Sequence, residues 1–282
     1  MIKRIAVIPN SSKDIGLLNT KRLVGFLQSS AEVYMDEAYS VLGMNVKYVS
    51  PSEIYNNADY VIVLGGDGTI LQRASECAKH RIPVLGINLG KIGFMTEIEL
   101  DDMEAAIKKL LDGDFVIEKR MMMKAEIRKN NEVQFAFHAL NDVVVSKSTG
   151  EKLICMELST DGEAVNRYTA DGLIIATPTG STGYSISAGG PVVDPRMRLF
   201  VATPICAHML SVRSAVLSSD KVMKIRLDSE YGGSDAVVTA DGDVQCYIKD
   251  ADEVVITESE YDFELIKIGN QSFYDTLIKK LS

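Results

Sequence analysis

Tyr60-Val61-Ile62-Val63-Leu64-Gly65-Gly66-Asp67-Gly68-Thr69 sets the reading of the first third of the chain. Residues 60–64 are apolar at every position, so they predict a strand covered on both faces, as in a parallel sheet flanked by helices. Glycines follow at once, and Thr69–Lys79 then reads as a helix. The same alternation surrounds this stretch. Ile5–Ile8, Asn45–Val49 and Pro83–Ile87 read as strands, and Asp101–Leu111 as a helix. Between Thr20 and Leu42, the positions Leu23, Val24, Leu27, Ala31, Tyr34, Ala38 and Val41/Leu42 recur at three- and four-residue spacing. That period predicts a single helix, stopped by Gly43. Strands alternating with helices predict an α/β domain with an open, Rossmann-like sheet.

The rhythm breaks near Asp114. Turn pairs then punctuate the chain at Asn130-Asn131, Asp161-Gly162, Gly232-Gly233 and Asp241-Gly242. Val133–Phe137, Val143–Val145, Leu153–Leu158, Val237–Ala240 and Val254–Thr257 read as strands between them, which predicts an all-β, sandwich-like second domain. Ser272–Leu281 reads as a helix, with Ser272 and Asp275 placed like a capping box. The expected division is 1–118 for the α/β domain, 119–258 for the β domain, and 259–282 for a C-terminal segment returning to the first domain.

Lys and Arg number 30 against 39 Asp and Glu in 282 residues, a net charge of −9. A non-specific nucleic-acid binder draws its affinity from clustered cations, and a polybasic membrane-surface protein does the same, so this balance excludes both as expectations. No apolar run reaches the roughly 20 residues needed to span a bilayer. The four cysteines and three histidines are scattered without zinc-site spacing. Reduced thiols and the absence of a leader-like N-terminus lead us to expect a cytoplasmic protein.

Three motifs carry chemistry. In Gly65-Gly66-Asp67-Gly68-Thr69, the glycines let backbone approach a phosphate, and the following helix start offers free N–H groups. A carboxylate there would repel phosphate, unless Asp67 takes the proton of a hydroxyl attacking it. A plain strand–helix turn is the alternative. No G-x-x-x-x-G-K-[ST] loop and no G-x-G-x-x-G fingerprint is present. A net-acidic chain lacking a P-loop lysine is therefore expected to rely on Mg²⁺ and backbone donors for phosphate. The second motif, Thr169 to Pro191, opens a buried strand into the hydroxyl- and glycine-rich run Ala176-Thr177-Pro178-Thr179-Gly180-Ser181-Thr182-Gly183-Tyr184-Ser185-Ile186-Ser187. Its hydroxyls and N–H groups can bind sugar, phosphate or base edges without adding charge, and Tyr184 offers a ring to a base. The third is Asn141-Asp142, an amide and a carboxylate able to grip a ribose diol, or equally a common turn pair.

Together, GGDGT at 65–69, Asn-Asp at 141–142 and DGLIIATPTGSTGYSISAGGP at 171–191 resemble, in order and spacing, the ATP-dependent NAD kinases of bacterial type. Asn88-Leu89-Gly90 with Ile92-Gly93-Phe94, Thr203-Pro204-Ile205-Cys206-Ala207-His208, and Asp241-Gly242 resemble further landmarks of that family, so the likeness spans nearly the whole chain. The resemblance implies transfer of the γ-phosphoryl of ATP to the 2′-hydroxyl of the adenosine ribose of NAD, in a site between the two domains. It implies Asp67 as the base, with Gly66 and Gly68 in the same turn. It also implies NAD contacts by Asn141, Asp142, Lys152, Asp171, Thr179, Thr182, Gly183, Tyr184 and Ser187, with Phe94 lining the pocket. Asp243 departs from the family pattern, where glutamine is common. Divalent metal with ATP, most simply Mg²⁺, and a homo-oligomer (dimer or tetramer) are implied as well.

GGDGT alone is shared with diacylglycerol and sphingosine kinases and, loosely, with phosphofructokinases. A lipid kinase is thus one alternative, for which the net charge gives no membrane-facing sign. A non-catalytic NAD-binding regulator is another, which would be expected to lack the aspartate that this chain retains.

Overall fold

The computed structural model describes residues 2–91, 93–148, 152–208, 213–228, 230, 235–250, 252–269 and 272–281. The chain divides into two compact units: 1–119 with 263–282, and 120–262. The Gly232-Gly233 turn and Ile92 lie outside the described residues.

In the first unit the order is β1 (Lys3–Pro9), α1 (Leu18–Leu27), β2 (Ala31–Asp36), β3 (Lys47–Val49), α2 (Pro51–Asn57), β4 (Tyr60–Gly65), α3 (Asp67–Lys79), β5 (Val84–Asn88) and α4 (Met103–Asp112). The strands pair in parallel in the order β3-β2-β1-β4-β5. Ile5, Val7, Ile62, Leu64, Leu85 and Ile87 fill a core with Leu23 and Leu27 of α1 and Ile107 and Leu110 of α4. Helices on a sheet of all-apolar strands satisfy both faces, which is why residues 60–64 show no alternation. The strand order reverses between β1 and β4. In open α/β sheets that reversal opens a crevice beyond the carboxyl ends of the two strands, where ligands bind.

One expectation fails here. The 20–42 stretch is not a single helix: α1 ends at Leu27, and Ala31–Asp36 form β2 with Val33, Tyr34 and Met35 buried. The spacing of 31, 34 and 38 satisfies a helical period, but Ala31-Glu32-Val33-Tyr34 pairs in register with Lys3–Ala6 of β1. Tertiary pairing overrides the local period. Gly43 does act as a stop, in the left-handed conformation at φ 60°, but it ends a 3₁₀ segment over Glu37–Leu42.

The strands that follow are β6 (Val116–Lys129), β7 (Glu132–Ala139), β8 (Asp142–Lys147), β9 (Ile154–Thr160), β10 (Glu163–Ala170) and β11 (Gly172–Ala176). After the short α5 (Tyr184–Ser187) come β12 (Leu199–Ile205), β13 (Ala215–Ser218), β14 (Met223–Leu227), β15 (Asp235–Ala240), β16 (Asp243–Lys249) and β17 (Asp252–Lys267). A six-stranded antiparallel sheet runs β13-β12-β11-β8-β15-β16. A second antiparallel set runs β10-β9-β14-β17. One apolar core draws Val143, Leu173 and Ile175 from the first and Met156, Leu158, Ile225 and Ile256 from the second. This mostly antiparallel β unit is the second architecture that the turn pairs predict. Residues 263–269 return to the first unit, where Leu265 pairs in parallel with Val84, and α6 (Phe273–Leu281) closes the described chain. Ser272 and Asp275 form the expected cap: the Ser272 N–H and hydroxyl donate to Asp275, and the Asp275 N–H donates back to the Ser272 hydroxyl.

Candidate active site

Gly66 is the N-cap of α3, so Asp67 is the first residue of the helix. The Leu64 carbonyl accepts from Asn10 N–H (2.8 Å), and the Asn10 amide donates to the Thr69 hydroxyl (2.8 Å). These bonds lock the loop after β1 to the glycine turn. Gly65 is required sterically, because a Cβ there would lie 2.4 Å from Thr69 Oγ1. At Gly68 a Cβ would meet nothing within 4 Å, so the protein leaves that side of the turn open.

The Asp67 carboxylate is not left to the helix start. The backbone N–H groups of Phe94 (2.7 Å to Oδ2), Met95 (3.1 Å to Oδ1) and Thr96 (3.1 Å to Oδ1) donate to it, as does the Thr96 hydroxyl (3.2 Å to Oδ1). Gly93 makes this possible: a Cβ there would sit 2.1 Å from Asp67 Oδ1. The 93–98 loop is itself anchored, by Ile98 bridging to Ile87 and by an ion pair between nearly buried Glu97 and Lys267. Oδ1 is thus saturated with donors, whereas Oδ2 holds one N–H and keeps a lone pair for a proton.

Two lysines that the sequence reading passes over stand here. Lys280 of α6 places Nζ 4.0 Å from Asp67 Oδ2 and 4.2 Å over the Phe94 ring, which packs on Phe273 at 5.6 Å. Lys13, in the loop after β1, reaches the glycine turn itself: a Cβ on Gly66 would lie 2.8 Å from its Nζ. The missing P-loop lysine therefore does not leave the turn without a cation. No local pattern marks either residue, since both arrive from chain segments remote from 65–69.

The second unit holds the other constellation. Asp241, largely buried in the turn between β15 and β16, accepts the N–H groups of Leu140 (2.8 Å), Asn141 (2.7 Å) and Asp142 (3.2 Å). Burial raises its carboxyl to about 6 even against those three donors. Asp142, also buried, is pushed up to about 7 by loss of solvent and then by the Asp241 charge. The Oδ1 of Asn141 is buried without a hydrogen-bond partner. An orphaned buried acceptor is costly unless a ligand or water satisfies it. Asp241 is thus a positioning residue, and sequence marks it only as a turn landmark.

The hydroxyl-rich run splits into two roles. Thr177 donates to the Leu140 carbonyl (2.6 Å), Ser181 to the Pro178 carbonyl (2.7 Å), and Ser185 bonds to Thr203 (2.9 Å); all four are fully buried. These hold the loop against Asn141, so closely that a Cβ on Gly180 would lie 2.0 Å from the Asn141 carbonyl oxygen. Thr179 is buried too, 3.5 Å from Arg120. Thr182, Gly183, Tyr184 and Ser187 keep accessible surface, and Tyr184 is 48% exposed. A Cβ on Gly183 would lie 3.4 Å from the Asn141 amide nitrogen and 3.9 Å from Asp142 Oδ2. Asn141, Asp142 and Gly183 therefore converge as the motifs suggest.

Asp171 does not join them. Ala176 stands opposite Asp142, whereas Gly172 stands opposite Ser146. At about 3.4 Å per residue, Asp171 lies roughly 17 Å along β11 from that cluster, paired with Lys147 at 2.7 Å. Lys152 is exposed. Among the described residues no three His, Cys, Asp or Glu side chains gather in a way that could hold a metal ion. The donor set of the described residues therefore does not fit a protein-built metal cage.

The chain matches a family model for the ATP-NAD kinase N-terminal domain over 10–115 and one for the C-terminal domain over 140–268. It is 39% identical to the NAD kinase of Caldanaerobacter subterraneus subsp. tengcongensis, over 100% of this chain and 99% of that protein. It is 38% identical to that of Natranaerobius thermophilus, over 100% and 98%. Among solved structures, it is similar to an Archaeoglobus fulgidus NAD kinase in complex with ATP (TM-score 0.74, 28% identity, 99% of this chain and 98% of the other). A yeast NADH kinase complexed with NADH shares the fold (TM-score 0.89, 23% identity, covering 99% and 87%).

Proposed function

The chain belongs to the NAD kinase family, and from that premise we propose that it transfers the γ-phosphoryl of ATP to the 2′-hydroxyl of the adenosine ribose of NAD, giving NADP and ADP. The observation that carries this reading is the Asp67 carboxylate, fixed by four donors with one lone pair of Oδ2 open. As the ribose O2′–P bond forms and the β–γ bridging P–O bond breaks, Oδ2 takes the hydroxyl proton and ADP leaves with the bonding electrons. Placing the base ahead of the reaction is what such a transfer needs, because it runs mainly on positioning and electrostatics. ATP is taken as its Mg²⁺ complex, the ion supplying charge neutralisation at the phosphates when bound.

In this reading Asn141 Oδ1 and Asp142 receive the polar edges of NAD, Thr182 and Ser187 offer hydroxyls, Gly183 leaves room, and the Tyr184 ring packs on a base. Because burial lifts Asp142 to about 7, a fraction of its carboxyl carries a proton at neutral pH and can donate to a ligand acceptor. A pocket of buried polar groups discriminates steeply against ligands that leave them unpaired. A cytoplasmic homo-oligomer completes the proposal. No described helix is long and apolar enough to cross a membrane.

Incubation of the protein with ATP, Mg²⁺ and NAD, followed by assay with an NADP-specific dehydrogenase, tests the activity, and ³¹P NMR of the product tests the position. A 2′-phosphate is expected. A 3′-phosphate, or phosphorylation of a lipid in preference to NAD, overturns the proposal.

A further inference from the structure

We propose that Lys13 is the phosphate-binding lysine of this enzyme, contacting the triphosphate of the donor nucleotide at the carboxyl edge of β1 and β4. The inference deepens the kinase reading above and rests on it for the identity of the donor.

Position is the first argument. The order β3-β2-β1-β4-β5 puts the sheet's reversal between β1 and β4, so the loops after these two strands form the crevice where α/β proteins take ligands. Lys13 belongs to the loop after β1, the GGDGT turn to the loop after β4. The lysine spans the two: its Nζ lies 2.8 Å from where a Cβ on Gly66 would be, and 4.0 Å from the same point on Gly90, in the loop after β5. Glycine at 66 leaves that space to the ammonium group.

The loop is built to hold the lysine's backbone still. The N–H groups of Lys13 (3.1 Å) and Asp14 (2.9 Å) both donate to the Asn10 carbonyl, and the Asn10 amide bonds Thr69 of the GGDGT turn. On the other side Asp14, 1% exposed, accepts the N–H and amide of Asn19 and the N–H and hydroxyl of Thr20. The side chain between these anchors is exposed and makes no ion pair among the described residues. A surface lysine held over a glycine turn, with no ion pair among the described residues, presents a point charge of the kind that binds phosphate chains.

Charge balance is the second argument. ATP carries several negative charges, and it approaches a protein of net charge −9 at a turn bearing the Asp67 carboxylate. A cation on Gly66 offsets that repulsion where the β- and γ-phosphates must come close to the base. The arrangement supplies from the β1 loop what a P-loop supplies from its own helix, which is why no local motif announces it.

The test is calorimetry of ATP with NAD absent, so that binding is read apart from turnover, on the wild type, Lys13→Met and Lys13→Arg. Lys13→Met is expected to weaken ATP at least tenfold, Lys13→Arg by less. Adenosine and NAD affinities should stay within twofold, because neither places a triphosphate at the turn. The loss should shrink in high salt. An ATP affinity unchanged in Lys13→Met, or an equal loss for adenosine or NAD, overturns the inference. An unchanged thermal midpoint excludes misfolding as the cause. Wild-type protein that binds ATP through Lys13 yet forms no NADP would refute the proposed activity and leave Lys13 standing.

Discussion

Asp142→Asn should stabilise the fold at pH 8 while weakening NAD binding. Asp142 is 5% exposed and near the Asp241 charge, and burial first and that charge second lift its carboxyl from 3.8 to about 7. A carboxyl whose folded pKa stands above its unfolded one binds more protons in the native state between those values. The native state therefore loses stability as pH climbs from about 4 to about 7, and the loss is complete above that. At roughly 1.4 kcal/mol per pH unit, the cost at pH 8 is on the order of 4 kcal/mol. Asparagine keeps the shape and removes the charge. Urea unfolding of ligand-free protein should show the variant close to wild type at pH 4.5 and more stable by a few kcal/mol at pH 8. Calorimetry should show NAD affinity down at least tenfold, as expected when stability and function conflict at a site. A stability difference that does not grow between pH 4.5 and 8, or unaltered NAD affinity, refutes the placement of a strained carboxylate in the binding pocket.

Gly93→Ala would drive a Cβ into Asp67 Oδ1 at 2.1 Å; displacing the base should cost about 10²-fold in kcat, with NAD affinity read by calorimetry nearly unchanged. Tyr184→Ala should lose roughly 1–3 kcal/mol of NAD binding by analogy with base–aromatic stacking, and Tyr184→Phe clearly less; equal losses would move the argument from ring to hydroxyl. Gly180→Ala meets the Asn141 carbonyl oxygen at 2.0 Å, a rigid backbone atom, so its unfolding midpoint should fall by an amount equivalent to about 1–3 kcal/mol.

What was legible in the sequence follows from how local the cause is. Residues 60–69 declare their structure because a fully buried parallel strand has no polar position, and the glycine turn after it cannot be mistaken for strand or helix. The hydroxyl-rich run is legible as a candidate site but not in its parts: Thr177, Ser181 and Ser185 are spent on hydrogen bonds that anchor the loop, and burial distinguishes them from Thr182 and Ser187. The 20–42 stretch misleads because a short run of apolar residues can satisfy both periods, and pairing with β1 decides between them. Lys13, Lys280 and the positioning role of Asp241 were not legible, since each acts on residues far away in the chain.

Whether Asp67 receives the proton of the acceptor hydroxyl is decided by kcat for NADP formation by Asp67→Asn, with NAD affinity measured on the same preparation. A fall of about 10²–10⁴ in kcat is expected, with NAD affinity within a few-fold of wild type. A near-normal kcat in a variant that still binds NAD would contradict that role for Asp67.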